Sequence, residues 1–524
     1  MTESFSEFKT NFIKEISKKS TQLNKMLWIL ETTGSKDAAD LFAQFYQELK
    51  LLFSDKKKYE KLLSWQKELK ELDELSQREL TLLIMQFKQN MIDRDLLQKM
   101  SEKEAHLMQL YANFRPKVDD KELSENQIRK ILNEEKDVEK RKKVWIASKQ
   151  IGHQMAKGIL ELVELRNQAA KSLGYTNYFD MQLDLQEVDK KWLFDFLQKF
   201  HKKSEKAYDA INHEINETLC KNFKVANDQN GPWLWKEPFG QEDPLAEEKT
   251  LDPYLKKVDY CEVAKKFYEQ LGLSAEDIIQ RSDMLERSGK NQHAFCINID
   301  RKQDVRTLNN LQPTTKWLET LLHELGHGVY EKGYDDELSW LLRDPPHMIT
   351  TEAMALIMGR QAYKQPFYEQ FIGVKDNALF KRLERSAYRR QMIFSRWVLV
   401  MTYFENELYN NPKQNLNKLW WELVEKYQKI PQSLDRSKDY DWAAKYHIGL
   451  APVYYYSYLL GEFFASSMER QLLEGKMHFY EPQSGAYFSK KLFAPGCRWP
   501  WDKLVKHVID KPLTDEDWIY QYAH

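Results

Sequence analysis

The sequence predicts an all-α fold for the 524-residue chain, with one small β-sheet near its middle. Glycine (18) and proline (16) are scarce, while Leu, Lys, Glu and Gln fill long stretches, as is typical of helices. In residues 1–220, apolar positions recur every three or four residues, as in Ile151, Met155 and Ile159, and this spacing places them on one helix face. No linker rich in Pro, Gly or Ser divides the sequence, so residues 1–524 are predicted to form a single domain.

The segment most typical of a strand is 293–299, which alternates and is rich in β-forming residues. The charged turn Asp300-Arg301-Lys302 ends it. A turn-rich patch lies upstream, at 226–253, and helical patterning resumes after the strand. The small sheet is therefore expected at the middle of an otherwise helical chain.

Charge and cysteine usage exclude several classes of protein. Lys and Arg (79) balance Asp and Glu (80), so no basic surface for nucleic acid is predicted. No apolar run approaches the roughly 18 residues of a membrane span, and the amino terminus lacks the pattern of a secretory signal. The four cysteines are widely spaced and without a CxxC pair, which favours a reduced setting. We therefore expect a cytoplasmic protein with no nucleic-acid, membrane or obligate protein partner.

The pattern His-Glu-Leu-Gly-His at 323–327 is the main chemical signal. Thr314 or Thr315 can cap a helix here, and His323 and His327 then project from one face about one turn apart. Two imidazoles so placed can bind one zinc ion, with Glu324 beside them as the general base.

A zinc peptidase site needs a third protein ligand and an open position for water. Glu352 is the candidate, at the expected start of a helix capped by Thr350 or Thr351. Taken alone, a carboxylate there is more often one that the helix macrodipole stabilises, so spacing by itself leaves both explanations open.

These motifs give the chain a resemblance to the angiotensin-converting-enzyme family of zinc dipeptidyl carboxypeptidases. It extends over most of residues 125–515. The similar segments are the two metal motifs at 323–327 and 351–355, the His-Ala pair at 293–294, Asp304 and Arg306, the Lys-Tyr-His-Ile motif at 445–448, and the aromatic helix at 454–462.

The resemblance implies a mostly helical ellipsoid with a deep central channel, two subdomains flanking that channel, and the small sheet near the active site. It implies one Zn²⁺ held by His323, His327 and Glu352. Glu324 would act as the catalytic base, and His447 and Tyr458 would donate hydrogen bonds to the tetrahedral oxyanion.

The resemblance also implies an oligopeptide substrate. The strand residues His293, Ala294 and Cys296 would pair with the peptide backbone, which is recognition by strand addition. Lys445 and Tyr455 would bind the terminal carboxylate of the substrate.

The sequence departs from the family pattern at several of these positions. One extra residue between His447 and Tyr458 makes Tyr456 a rival for the oxyanion tyrosine. Leu356 replaces an aspartate that orients a zinc histidine, so that support must come from another residue. Ser457 replaces a chloride-binding arginine, so the resemblance does not imply chloride activation through that site.

The leading hypothesis is a zinc peptidase that releases dipeptides from the carboxyl end of oligopeptides. A Taq-type carboxypeptidase that removes single residues is an alternative, since 327–333 and 304–306 are similar to that family too. A thimet-type oligoendopeptidase shares the aromatic helix and is a third. An inactive peptide-binding scaffold is the alternative from a different class, and it predicts no effect of metal removal or of Glu324→Gln.

Overall fold

A computed structural model of the chain describes residues 3–246 and 250–523. Most of these residues lie in helices, which confirms the all-α prediction. The helices are α1 (Phe5–Thr33), α2 (Lys36–Phe53), α3 (Lys56–Gln66), α4 (Glu74–Gln89), α5 (Arg94–Asn113), α6 (Glu125–Glu134), α7 (Val138–Lys149), α8 (Ile151–Ser172), α9 (Tyr178–Leu185), α10 (Lys190–Phe223), α11 (Asp252–Leu255), α12 (Tyr260–Gln270), α13 (Glu276–Arg281), α14 (Thr315–Lys332), α15 (Met348–Gly359), α16 (Gln365–Phe367), α17 (Asn377–Asn410), α18 (Leu416–Leu423), α19 (Tyr446–Leu450), α20 (Tyr456–Glu474), α21 (Pro482–Tyr487), α22 (Trp501–Ile509) and α23 (Glu516–Tyr522).

The predicted strand is part of a two-stranded antiparallel sheet. Strand β3 (Phe295–Asn298) pairs with β4 (Val305–Leu308), with Cys296 opposite Thr307. The strand is shorter than the predicted 293–299, because His293 and Ala294 precede the first ladder pair.

A second small sheet was not predicted from the sequence. It is a hairpin of β1 (Lys117–Val118) and β2 (Lys121–Glu122), joined by Asp119 and Asp120 at φ 47° and 63°. Positive φ at both central residues is typical of the tight turns that join hairpin strands. Strands of two residues are too short to show a period-2 pattern, so they cannot be predicted from the sequence.

The described residues fall into two compact units. Unit 1 takes its residues from Met1–Met91, Glu247–Glu384 and Leu460–Trp518, and unit 2 from Ile92–Ala246, Arg385–Leu459 and Ile519–His524. Among the described residues, no helix combines the length and hydropathy that a membrane span requires.

In unit 1, α14 and α15 pack closely against each other. Gly326 permits this contact, because a Cβ atom at that position would lie 2.9 Å from the Cα of Ala355. Strand β3 also packs against α14. The two helices and the small sheet therefore form one structural unit around the His-Glu-Leu-Gly-His motif.

In unit 2, buried side chains fix the turn-rich segment that follows α10. The Arg141 guanidinium donates hydrogen bonds to the carbonyls of Trp233, Leu234 and Trp235, at 2.9 to 3.0 Å. Arg141 is 1% exposed, so these are buried, charge-assisted bonds. They hold in place a segment that forms a short 3-10 helix here, Pro232–Leu234.

Candidate active site

The His-Glu-Leu-Gly-His motif lies in the second half of α14. Thr314 caps this helix, since its hydroxyl accepts a hydrogen bond from the Trp317 N–H. The imidazoles of His323 and His327 project from the same face, with ring centroids 4.9 Å apart. The predicted helix and its predicted cap are both present.

Glu352 lies on α15, but the predicted cap of that helix was wrong. The helix begins at Met348, and His347 caps it by accepting a hydrogen bond from the Ile349 N–H. Thr350 and Thr351 are buried within the first turn instead. An imidazole nitrogen can accept as a threonine hydroxyl does, and this one satisfies the helix terminus one turn earlier than the sequence suggested.

The packing of α14 against α15 brings the three predicted zinc ligands together. Ligand atoms of His323, His327 and Glu352 all lie within 4.8 Å of one another. His323 Nε2 is 3.7 Å from a carboxylate oxygen of Glu352. Among the described residues, these three form the single cluster of His, Cys, Asp or Glu that could hold a metal ion.

The chemistry of these residues fits zinc. Burial lowers the pKa of His323 to about 4 and that of His327 well below its usual value, so both imidazoles are neutral near pH 7. Neutral imidazole nitrogens and one carboxylate are the donor set of many catalytic zinc sites, which have three protein ligands and an open fourth position.

Thr351 supports His327, a role that the sequence did not reveal. Its Oγ1 lies 2.6 Å from His327 Nδ1. With Nδ1–H donating to this hydroxyl, Nε2 keeps its lone pair for a metal ion. Thr351 thus occupies the supporting role that the family pattern gives to an aspartate at the position of Leu356. The sequence does place the Thr351 hydroxyl next to Glu352, but a hydroxyl in that position predicts a helix cap.

Glu324, the predicted base, is buried beside the ligands. Burial raises the pKa of its carboxyl to about 8, and the nearby Glu352 carboxylate contributes to the same direction. The backbone of Cys296, on β3, lies near this carboxylate and partly opposes the rise.

The residues predicted to bind the peptide backbone lie at the start of β3. His293 is exposed, and Ala294 and Cys296 are partly buried. The His293 N–H donates to the Asn291 side chain, at 2.9 Å. Within the described residues, β3 has a paired strand on one side, β4.

Lys445, His447, Tyr455 and Tyr458 form one cluster in unit 2. The His447 and Tyr455 rings are 4.8 Å apart, the Tyr455 and Tyr458 rings are 5.6 Å apart, and Lys445 Nζ lies 5.7 Å from the Tyr455 ring centroid. The Lys445 ammonium also donates a hydrogen bond to the Gln241 side-chain oxygen, at 3.2 Å. Gln241 was not predicted, because its position in the turn-rich patch at 226–253 gives no sign of this contact.

Tyr456 and Tyr458 differ in their surroundings. The Tyr456 side chain is 1% exposed and its hydroxyl donates a hydrogen bond to Gln186, at 2.6 Å. Tyr458 is partly buried, with its ring against those of Tyr454 and Tyr455.

His447 is a neutral imidazole in this cluster. Burial lowers its pKa to about 4, and the positive charge of Lys445 acts in the same direction. Its Nδ1 is buried and has no hydrogen-bond partner within the described residues. One ring nitrogen of a neutral imidazole carries a proton, so His447 can donate one hydrogen bond.

The model of peptidase family M3 matches residues 131–523, which include every candidate residue above. The chain belongs to peptidase family M3. This gluzincin-type family confirms the predicted class, a zinc metallopeptidase.

Curated relatives of this M3 chain include angiotensin-converting enzymes. The enzyme of Oryctolagus cuniculus is 24% identical over 283 residues, which is 50% of this chain and 21% of the relative. That of Mus musculus is 24% identical over 281 residues, with the same shares. The matched region therefore spans about a fifth of the length of these relatives.

Proposed function

We propose that this M3 protein is a zinc peptidase that binds oligopeptides by their carboxyl terminus and releases dipeptides from that end. The observation that carries the proposal is the environment of Lys445. Its ammonium group faces the Gln241 amide and the rings of Phe239, Trp397 and Tyr455. Within the described residues, no carboxylate lies within ion-pair distance of it.

A peptide's terminal carboxylate fits this environment. It would supply the negative charge that Lys445 lacks and would accept hydrogen bonds from the lysine ammonium, the Gln241 amide and the Tyr455 hydroxyl. The aromatic rings favour the cation in the free protein without neutralising it. Gln241 adds a donor to the carboxylate site predicted from Lys445 and Tyr455.

The catalytic steps follow from the residues near the ligands. A zinc ion held by His323, His327 and Glu352 would polarise the scissile carbonyl and lower the pKa of water. Glu324 accepts a proton from the attacking water and returns it to the leaving amine. The buried position of Glu324, next to His323 on α14, supports both halves of that transfer.

Two donors are proposed for the oxyanion, His447 and Tyr458. A neutral imidazole and a phenol can each donate one hydrogen bond to charge that develops in the transition state. The hydroxyl of Tyr456, the alternative donor, already donates a hydrogen bond to Gln186, which supports Tyr458 as the oxyanion donor.

The segment at His293, Ala294 and Cys296 is proposed to pair with the substrate backbone. The backbone of Cys296 also lies near the Glu324 carboxylate. A peptide paired along the segment would therefore lie beside the group that activates water.

A thimet-type oligoendopeptidase is the second candidate, and the match to peptidase family M3 favours it. Such an enzyme needs no binding site for the terminal carboxylate of the substrate. The two functions therefore differ in their dependence on the substrate's terminus and on Lys445.

The test is mass spectrometry of the products from an amino-blocked decapeptide, made as the free acid and as the carboxyl-terminal amide. We expect successive loss of dipeptides from the acid and cleavage of the amide that is slower by about tenfold to a hundredfold, because a charged hydrogen bond is lost. Lys445→Met should abolish that preference. Lys143→Met, at an exposed lysine of α7, is the control.

Other product patterns would contradict the proposal. Internal cuts at equal rates in the acid and the amide would establish the thimet-type function. Loss of single residues would establish the Taq-type function.

A further inference from the structure

A buried lysine lies close to the partly buried Lys445 in unit 2. Lys149, the last residue of α7, is 3% exposed. Its Nζ lies 3.2 Å from the centroid of the Phe239 ring and 5.5 Å from that of Trp145. Within the described residues, the Lys149 ammonium has no hydrogen-bond acceptor and no carboxylate at ion-pair distance.

The two lysines share one aromatic ring. Lys445 Nζ is 5.3 Å from the same Phe239 centroid that Lys149 approaches. The two nitrogens are therefore no farther apart than those two distances combined.

The neighbouring acidic groups are already engaged. Asp441 accepts from the Arg436 guanidinium at 2.6 Å and from the Trp421 indole at 3.1 Å. Glu237 accepts from the backbone N–H groups of Phe239 and Gln241. Burial lowers the pKa of Lys149 to about 7. The Asp441 and Glu237 carboxylates partly oppose this shift, and the positive charges of Arg436 and Lys445 add to it.

The Phe239 ring is held in place by its own backbone. The Trp145 indole donates to the Pro238 carbonyl, and the Gln428 amide donates to the carbonyls of Phe239 and Gly240. The ring that both lysines contact is therefore positioned before any ligand binds, which lowers the cost of binding.

We propose that Lys149 is a specificity-determining residue that binds the side-chain carboxylate of an acidic carboxyl-terminal residue, Glu or Asp. Lys445 binds the α-carboxylate of the same residue, as in the proposed function on which this inference rests. An unpaired buried cation is costly, and a second carboxylate relieves that cost at Lys149 as the first does at Lys445. A residue with two carboxylates is the occupant that neutralises both lysines.

The test compares two amino-blocked decapeptides that differ only in ending with Glu or Gln. At pH 6.5, where Lys149 carries its proton, wild-type kcat/KM should be higher for the Glu peptide by about tenfold or more. Lys149→Met should bring that ratio close to one, and Lys149→Arg should restore part of it. Lys143→Met, on the same helix, should keep the wild-type ratio.

A binding measurement makes the test independent of turnover. Calorimetry of the zinc-loaded Glu324→Gln protein with glutarate and with butyrate compares a dicarboxylate with a monocarboxylate of similar size. Glutarate should bind about tenfold more tightly, and Lys149→Met should remove the difference.

The failures of the two proposals are distinguishable. Carboxyl-terminal cleavage with equal kcat/KM for the Glu and Gln peptides, or equal binding of glutarate and butyrate, would overturn the role of Lys149 alone. A preference for Glu that persists in Lys149→Met would also overturn it. Cleavage that ignores the carboxyl terminus would overturn the proposed function and this inference with it.

Discussion

Replacing Thr351 with valine should weaken zinc binding without changing any ligand. Valine keeps the shape of threonine and removes the hydroxyl that lies 2.6 Å from His327 Nδ1. Thr351 is 3% exposed, so water does not readily replace the lost partner. The Nδ1–H group is then left buried and unsatisfied.

The magnitude follows from that loss. An unsatisfied buried donor costs about 1–3 kcal/mol, which corresponds to roughly 5- to 150-fold in a binding constant. Loss of a residue that supports a metal-bound histidine typically costs about 10- to 100-fold in metal affinity. We therefore expect the zinc Kd of Thr351→Val to rise by about 10- to 100-fold.

Thr350→Val is the matched control. Thr350 precedes Thr351 on α15, but its hydroxyl donates to the His347 carbonyl at 2.8 Å and accepts from Tyr330 at 3.3 Å. This variant should lower the free energy of unfolding and leave the zinc Kd close to wild type. Competition with a chromophoric chelator measures both constants. A Thr351→Val Kd no different from that of Thr350→Val would refute the supporting role of Thr351.

Three further predictions concern the base, the oxyanion donor and stability. Glu324→Gln should lower kcat by about 10² or more while zinc content stays unchanged, as rapid kinetics and metal analysis can check; full activity would contradict its role as base. Tyr458→Phe should lower kcat by about 10² or more with little change in KM. A larger loss of kcat in Tyr456→Phe than in Tyr458→Phe would make Tyr456 the oxyanion donor instead. Burial lowers the pKa of His347 from 6.5 to about 3. Below pH 6.5 the unfolded chain thus binds a proton that the folded chain does not, so His347 should cost about 2 kcal/mol of stability between pH 7 and 5. His347→Asn keeps a capping acceptor and should reduce this loss in urea unfolding, while the exposed control His213→Gln should not.

The clustering of the three proposed zinc ligands was predictable because their signals are local or belong to a known pattern. His323 and His327 share a helix face through the helical period alone, and Thr314 marks the start of that helix. Glu352 required the family resemblance, since a carboxylate near a helix start has an ordinary explanation as well.

The supporting residues were not predictable because long-range packing creates their contacts. Thr351 reaches His327 only because Gly326 lets α15 approach α14 closely. Gln241 meets Lys445 from a turn-rich segment far away in the sequence. The pairing of Lys149 and Lys445 over the Phe239 ring likewise depends on three separate segments.

The capping of α15 shows how two local signals can compete. Thr350 and Thr351 are good capping residues, yet His347 caps the helix, and both threonines are buried in its first turn. The Thr350 hydroxyl then donates to the His347 carbonyl, and the Thr351 hydroxyl contacts His327. Local propensity alone does not separate these roles.

The most direct test of the account is a zinc titration of the metal-stripped protein, followed by hydrolysis of an amino-blocked decapeptide. We predict that activity rises linearly and saturates at one zinc ion per chain, and that Glu352→Gln saturates only at much higher zinc. Hydrolysis that persists in the stripped protein, or a zinc-loaded wild-type protein that cleaves no peptide, would contradict the assignment of His323, His327 and Glu352 as the zinc site of a peptidase.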